Sequence, residues 1–86
     1  MAENIIKIKS FSFALRVVKM SQFLSAEKKE FVLSKQLLRS GTSIGALVRE
    51  SEHAESKSDF IHKLAIAQKE ANETSYWLEL LFQSEY

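Results

Sequence analysis

Two carboxylate–imidazole pairs, Glu50-Ser-Glu-His53 and Asp59-Phe-Ile-His62, have a spacing suited to metal chemistry. On a helix, residues three apart share a face, and bundles build carboxylate-bridged di-metal sites from such pairs on facing helices. A short turn between the pairs sets Glu50 level with His62, and His53 level with Asp59. The helical wheel opposes a joint site, because Glu50 and His53 project to one side of the hairpin and Asp59 and His62 to the other. Two further carboxylate-bearing helices are also needed. The sequence therefore predicts polar residues near a turn, with no metal and no cofactor. Glu70 and Glu73 offer carboxylates for acid–base work. No serine–histidine, phosphate-cradling or nucleotide-binding spacing accompanies them. The expectation is a protein that is not an enzyme and has no evident small-molecule substrate.

The elements that hold these residues follow from composition. Eighty-six residues make at most one domain, 1–86, near the lower limit of what folds unaided. The chain has no proline, no cysteine and only two glycines, which points to long helices without disulfides or thiolate metal sites. A hydrophobic fraction of 45% with 27% charged residues is globular in character. No apolar run approaches the roughly 20 residues that cross a bilayer, and the first residues lack a signal-peptide pattern. The expected protein is soluble and cytoplasmic, without membrane contact. A net charge of +1 is neutral on nucleic acid; only its distribution could speak to that.

Hydrophobic periodicity predicts three helices, over about 4–24, 26–54 and 58–82. The first carries two apolar stripes on opposite faces. One is Ile8, Phe11, Leu15 and Val18; the other is Ile6, Phe13, Val17, Met20 and Leu24. A helix that is apolar on two faces is buried on both. One stripe is expected inside the subunit, and the other, Ile6, Phe13, Val17, Met20 and Leu24, against a neighbouring chain. Ser25 is expected to cap the second helix, with Glu27 in its first turn. Ser56 or Ser58 is expected to cap the third, with Asp59 supporting it. The third helix has a seam of Phe60, Leu64, Ala67, Ala71, Thr74, Leu78 and Leu81.

Gly41 and Gly45, four residues apart amid Leu37, Leu38, Ile44, Leu47 and Val48, mark the second helix as central. Glycine costs roughly 1 kcal/mol relative to alanine within a helix, so two on one face imply a close approach. An antiparallel hairpin turning near Ser56 pairs residues whose numbers sum to about 112. That register sets Gly45 against Ala67, Gly41 against Ala71 and Leu38 against Thr74. It leaves a groove beside Ile44, Leu47, Ile66, Trp77 and Leu81 as the seat of the first helix. On the far side of the second helix lie Lys28, Lys35, Arg39, Thr42, Arg49 and His53. Such a ridge is either a solvated surface or, through Lys28, Lys35, Arg39 and Arg49, a contact for RNA or another nucleic acid. No aromatic residue interleaves it.

The run Gln36-Leu-Leu-Arg-Ser-Gly-Thr-Ser-Ile-Gly-Ala46, with Arg49-Glu50, Glu55-Ser-Lys-Ser-Asp-Phe-Ile-His-Lys-Leu-Ala-Ile-Ala67, Lys69-Glu-Ala-Asn-Glu-Thr74 and Tyr76-Trp-Leu-Glu-Leu-Leu81, resembles a known family. These are the small bacterial four-helix-bundle proteins named after intervening sequences in 23S ribosomal RNA genes. The resemblance implies an all-α, antiparallel up-down bundle and a homopentameric ring. It also implies distant similarity to the accessory variability protein of diversity-generating retroelements. Family members commonly carry Asn where Leu47 stands here, and they usually continue into a fourth helix beyond the position of Tyr86. Leu80, Leu81 and Phe82 then lose part of their cover: either the chain is truncated or cleaved before its fourth helix, or an oligomer partner supplies the missing surface. The function expected is a non-enzymatic, self-associating bundle that binds RNA through the basic ridge. The alternative is a structural or adaptor oligomer that binds a protein partner without nucleic acid.

Overall fold

The computed structural model describes residues 2–86, with side chains from Ile5 onward. It contains three α-helices and no strand among those residues: α1 (Ala2–Ala26), α2 (Leu33–Ser51) and α3 (Lys57–Gln83). They run up, down and up along a body 43 Å long and 19 by 16 Å across. α2 packs on both neighbours, whereas the backbones of α1 and α3 stay more than 8 Å apart. The second helix is thus central, as its two glycines suggest.

The connection before α2 differs from the expected immediate restart. Ser25 and Ala26 still belong to α1. Lys29 then takes a left-handed conformation (φ 55°), which turns the chain back. Glu30, not Ser25, satisfies the free amides at the start of α2. Its carboxylate accepts from the backbone N–H of Leu33 at 3.1 Å and of Ser34 at 2.8 Å. A carboxylate placed there also suits the positive end of the helix dipole. Ser25 instead shares a hydroxyl–hydroxyl contact with Ser34. α3 starts as expected: the Ser56 hydroxyl accepts from the Asp59 N–H at 3.0 Å, and Asp59 accepts in turn from the Glu55 N–H at 3.1 Å. It ends in a Schellman turn. Glu85 is left-handed (φ 65°), Tyr86 N–H reaches the Leu81 carbonyl, and Glu85 N–H reaches that of Phe82.

The expected antiparallel register between α2 and α3 is present. Ser40 meets Thr74, Arg39 meets Glu73 and Glu50 meets Lys63, each pair within two of the expected sum. The face of α2 presented to α3 is different, however. Gly41 and Gly45 do not meet Ala71 and Ala67. A β-carbon at Gly41 would lie 2.8 Å from the γ-carbons of Val17, and one at Gly45 would lie 3.4 Å from the Ser10 carbonyl oxygen. The glycines therefore admit α1, and α1 sits on them rather than in a groove beside Trp77. Ala67 is buried on α3, but Ala71 is exposed. A turn of about 100° per residue separates Gly41 from Ser40, enough to give them different neighbours.

Val17, Leu24, Leu37 and Leu81 form the core, with Phe13, Leu33, Trp77 and Leu78 packed on it. Small hydroxyls fill the tight contacts between helices, and Ser21 donates to the Ser34 carbonyl from α1 to α2. No buried side-chain polar atom among the described residues lacks a partner.

Candidate interaction surfaces

α1 separates the expected interface stripe into two groups. Val17 and Leu24 are core residues, 4% and 2% exposed, so they are not available to another chain. Ile6 and Met20 remain exposed and Phe13 half-buried, on the side of α1 that turns toward α3. The outward face of α1 is the other stripe: Ile8 is 67% exposed, Leu15 50% and Phe11 48%. These three follow one another at spacings of three and four, so they form one continuous band. The faces are exchanged relative to expectation. Both are apolar, and periodicity alone cannot choose which one meets α2.

Beside that band, Phe11, Ala14, Thr42, Gly45, Ala46 and Arg49 line a hollow of about 220 Å³ between α1 and α2. The Arg49 guanidinium lies 5.0 Å from the centre of the Phe11 ring, a cation–π contact that holds the ring outward. At the far end of the molecule the C-terminal group also divides. Leu81 is core, Leu80 is half-buried, and Phe82 is 81% exposed.

The basic ridge is not one free surface. Arg39 reaches across to α3, where its guanidinium donates to Glu70 at 3.2 Å and to Glu73. Trp77 Nε1 donates to the same Glu73 carboxylate at 3.0 Å. The hydrogen bond from Arg39, then that from Trp77, hold the Glu73 carboxyl below its usual range, and the bond to Glu73 raises Arg39. Lys28 lies in the α1–α2 connection, 5.9 Å from the Phe23 ring centre. Arg49 belongs to the α1 side. Lys35 alone of the four is an exposed helix cation with no ion pair or ring beneath it among the described residues. The wheel places these residues on one broad arc, but long side chains on its two margins bend toward opposite neighbours.

The carboxylate–histidine pairs do not converge. Glu50 bonds to Lys63 at 3.1 Å, which raises the lysine, and Asp59 is engaged at the start of α3. Among the described residues, no three His, Asp or Glu side chains are grouped to hold a metal ion. Among the described residues, no helix is long and apolar enough to cross a membrane.

Comparison with known proteins agrees with this architecture. A protein of unknown function from the S23 ribosomal protein family of Bacteroides thetaiotaomicron VPI-5482, solved at 1.70 Å, has the same fold with a TM-score of 0.99 and 63% sequence identity. The match covers 100% of this chain and 77% of that one. No curated protein matches. The family model described as 23S rRNA-intervening sequence protein spans residues 2–86. With nearly every residue matched and the same three helices in a solved relative, this chain belongs to the 23S rRNA-intervening sequence protein family.

Proposed function

We propose that this protein is a non-enzymatic helical-bundle subunit that assembles with copies of itself, with the outward face of α1 as the contact. The supporting observation is the continuous band of Ile8, Phe11 and Leu15 on one helix face, each about half exposed or more, beside a small hollow. Contiguous exposed apolar residues on a small domain mark interaction sites. A homopentameric ring is the assembly that the family resemblance implies. The finer architecture we propose is a four-helix bundle. The backbones of α1 and α3 each approach α2 closely and stay farther from one another, as two helices at opposite corners of such a bundle do.

Contact with structured RNA is subordinate in this reading. Arg39 is held by two carboxylates and Arg49 by a ring, so the ridge offers few uncommitted cations. Light scattering of the intact chain tests the assembly. A mass that is a multiple of the single chain is expected, falling to that of one chain in Phe11→Asp/Leu15→Asp with helical circular dichroism retained. A wild-type monomer at micromolar concentration would remove the proposal. Binding to structured RNA over a salt series tests the subordinate reading. Affinity that falls with salt and weakens in Arg49→Gln would restore it.

A further inference from the structure

The charge carried by α1 restricts what can cover its outward band. From Ile5 to Ala26 the chain has Lys7, Lys9, Arg16 and Lys19 and no acidic residue. Lys7 is taken up by Glu52, at 3.3 Å. Lys9, Arg16 and Lys19 are exposed and meet no carboxylate among the described residues. Two copies of α1 packed about a two-fold axis would bring these cations together, and like charges across an interface are strongly unfavourable. The exposed side of α2 repels as well, through Lys35 and Arg49.

The outward face of α3 does not. Opposite the buried row of Ala67, Thr74 and Leu81, the residues Ile61, Ala65, Gln68 and Asn72 follow one another at spacings of four and three. All four are exposed and uncharged, with Lys69 at the margin. Farther up the same face Tyr76, Glu79 and Leu80 line a hollow of about 250 Å³. Glu79 is exposed and has no cation partner among the described residues. This face is distinct from the side of α3 that turns toward α1, which presents Phe60, Leu64 and Leu78.

Contacts through α2 set the relative heights of the two faces. Lys7 pairs with Glu52 and Lys63 with Glu50, while Val17 abuts Gly41 and Thr74 bonds to Ser40. Lys7 is thus level with about Lys63, and Val17 with about Thr74. Between them Ile8 lies near the height of Ala65, Ser12 near Gln68 and Leu15 near Asn72. Lys19 comes level with Tyr76, one turn from Glu79. Because α1 and α3 both run up, a rotation about an axis along the bundle lays α1 of one copy beside α3 of the next at these same heights.

We propose that the Ile8, Phe11 and Leu15 band of one copy seats on the Ile61, Ala65, Gln68 and Asn72 face of the next, with Lys19 reaching Glu79 of that neighbouring copy. This rests on the self-assembly reading above and adds the second surface. The two patches differ, so every copy offers one of each, and the contacts can follow one another around a ring.

The chain has no cysteine, so single thiols can be placed at Ser12 and Gln68, both exposed. Ser12→Cys and Gln68→Cys chains, co-expressed and treated with a short bismaleimide, should give a cross-linked dimer that neither variant gives alone. A dimer from either variant alone would show a two-fold contact and overturn the proposal. So would the absence of any cross-link in an assembly seen by light scattering, whereas a wild-type monomer would remove the self-assembly reading itself. Lys19→Glu and Glu79→Lys should each weaken assembly by about tenfold, and the double variant should recover it. A double variant as weak as the single ones would overturn the Lys19–Glu79 contact.

Discussion

Gly41 and Val17 meet so closely that a β-carbon on the glycine would lie 2.8 Å from both γ-carbons of the valine. Valine is stiff at χ1 and cannot swing aside, so a methyl group at 41 must push α1 and α2 apart. Gly45 is four residues on, yet its nearest approach is an ordinary 3.4 Å contact. The two glycines therefore differ in kind. Gly41→Ala should destabilise by about 1–2 kcal/mol, with overpacking outweighing the gain in helix propensity. Val17→Ala, which costs stability alone, should recover part of that loss in the double variant. Gly45→Ala should be neutral or stabilising by up to about 1 kcal/mol. Urea denaturation of the four variants and the parent measures all of these.

The Ser40 and Thr74 hydroxyls share a buried hydrogen bond of 2.9 Å between α2 and α3, and Thr74 also reaches the Glu70 carbonyl at 2.7 Å. Thr74→Val should cost about 1–3 kcal/mol, because it strands the Ser40 hydroxyl in a fully buried position. Ser40→Ala/Thr74→Val should be more stable than the sum of the single losses predicts. A double-mutant cycle on unfolding free energies reads the coupling directly.

Glu73 confers pH dependence at the acid end. Its carboxyl is lowered in the folded state by Arg39 and then by Trp77. The stabilisation it contributes is therefore complete above the ordinary carboxylate value of about 4.3, and it is lost as pH falls through the lowered folded value. Glu73→Gln should unfold more readily at neutral pH and show a shallower decline on acidification. Denaturation midpoints at pH 7 and near pH 3 should thus converge for the variant and the parent.

Helix ends supply a further set of expectations. Glu30→Ala removes the acceptor for the Leu33 and Ser34 amides and should cost about 1 kcal/mol. Ser56→Ala, at the start of α3, should cost a similar amount. Glu85→Gly should stabilise, by about 1 kcal/mol, since a left-handed residue ends the Schellman turn. Thermal unfolding followed by circular dichroism ranks the three.

Much of this architecture can be read from the chain, and the parts that cannot share a cause. The Ser56 cap and the α2–α3 register follow from local chemistry and turn length, so Arg39–Glu73 and Glu50–Lys63 fall where counting puts them. Which neighbour each face meets is not local. Small residues suited to Gly41 occur on both flanking helices, at Ser10 on α1 and at Ala67 and Ala71 on α3. Periodicity on α1 offers two equivalent apolar stripes, and only the glycine contacts with Ser10 and Val17 choose between them. Glu30 is missed for another reason. Ser25 presents the familiar capping residue, whereas the real cap depends on Lys29 taking a conformation that non-glycine residues seldom adopt. The split of the basic ridge is likewise invisible on a wheel, which shows where a Cβ points but not where a guanidinium ends.

Because α2 is the shared neighbour of two helices whose backbones stay apart, the close backbone contacts between helices join elements adjacent in sequence. Such a topology has a low contact order, and folding in the microsecond-to-millisecond range follows from it. The same arrangement makes α2 the last element to open. Its amides should exchange with solvent only on global unfolding, while the ends of α1 and α3 exchange through local fraying. A substitution that weakens α2 alone should therefore uncouple both partners at once, and the chain should lose its cooperative transition rather than one helix.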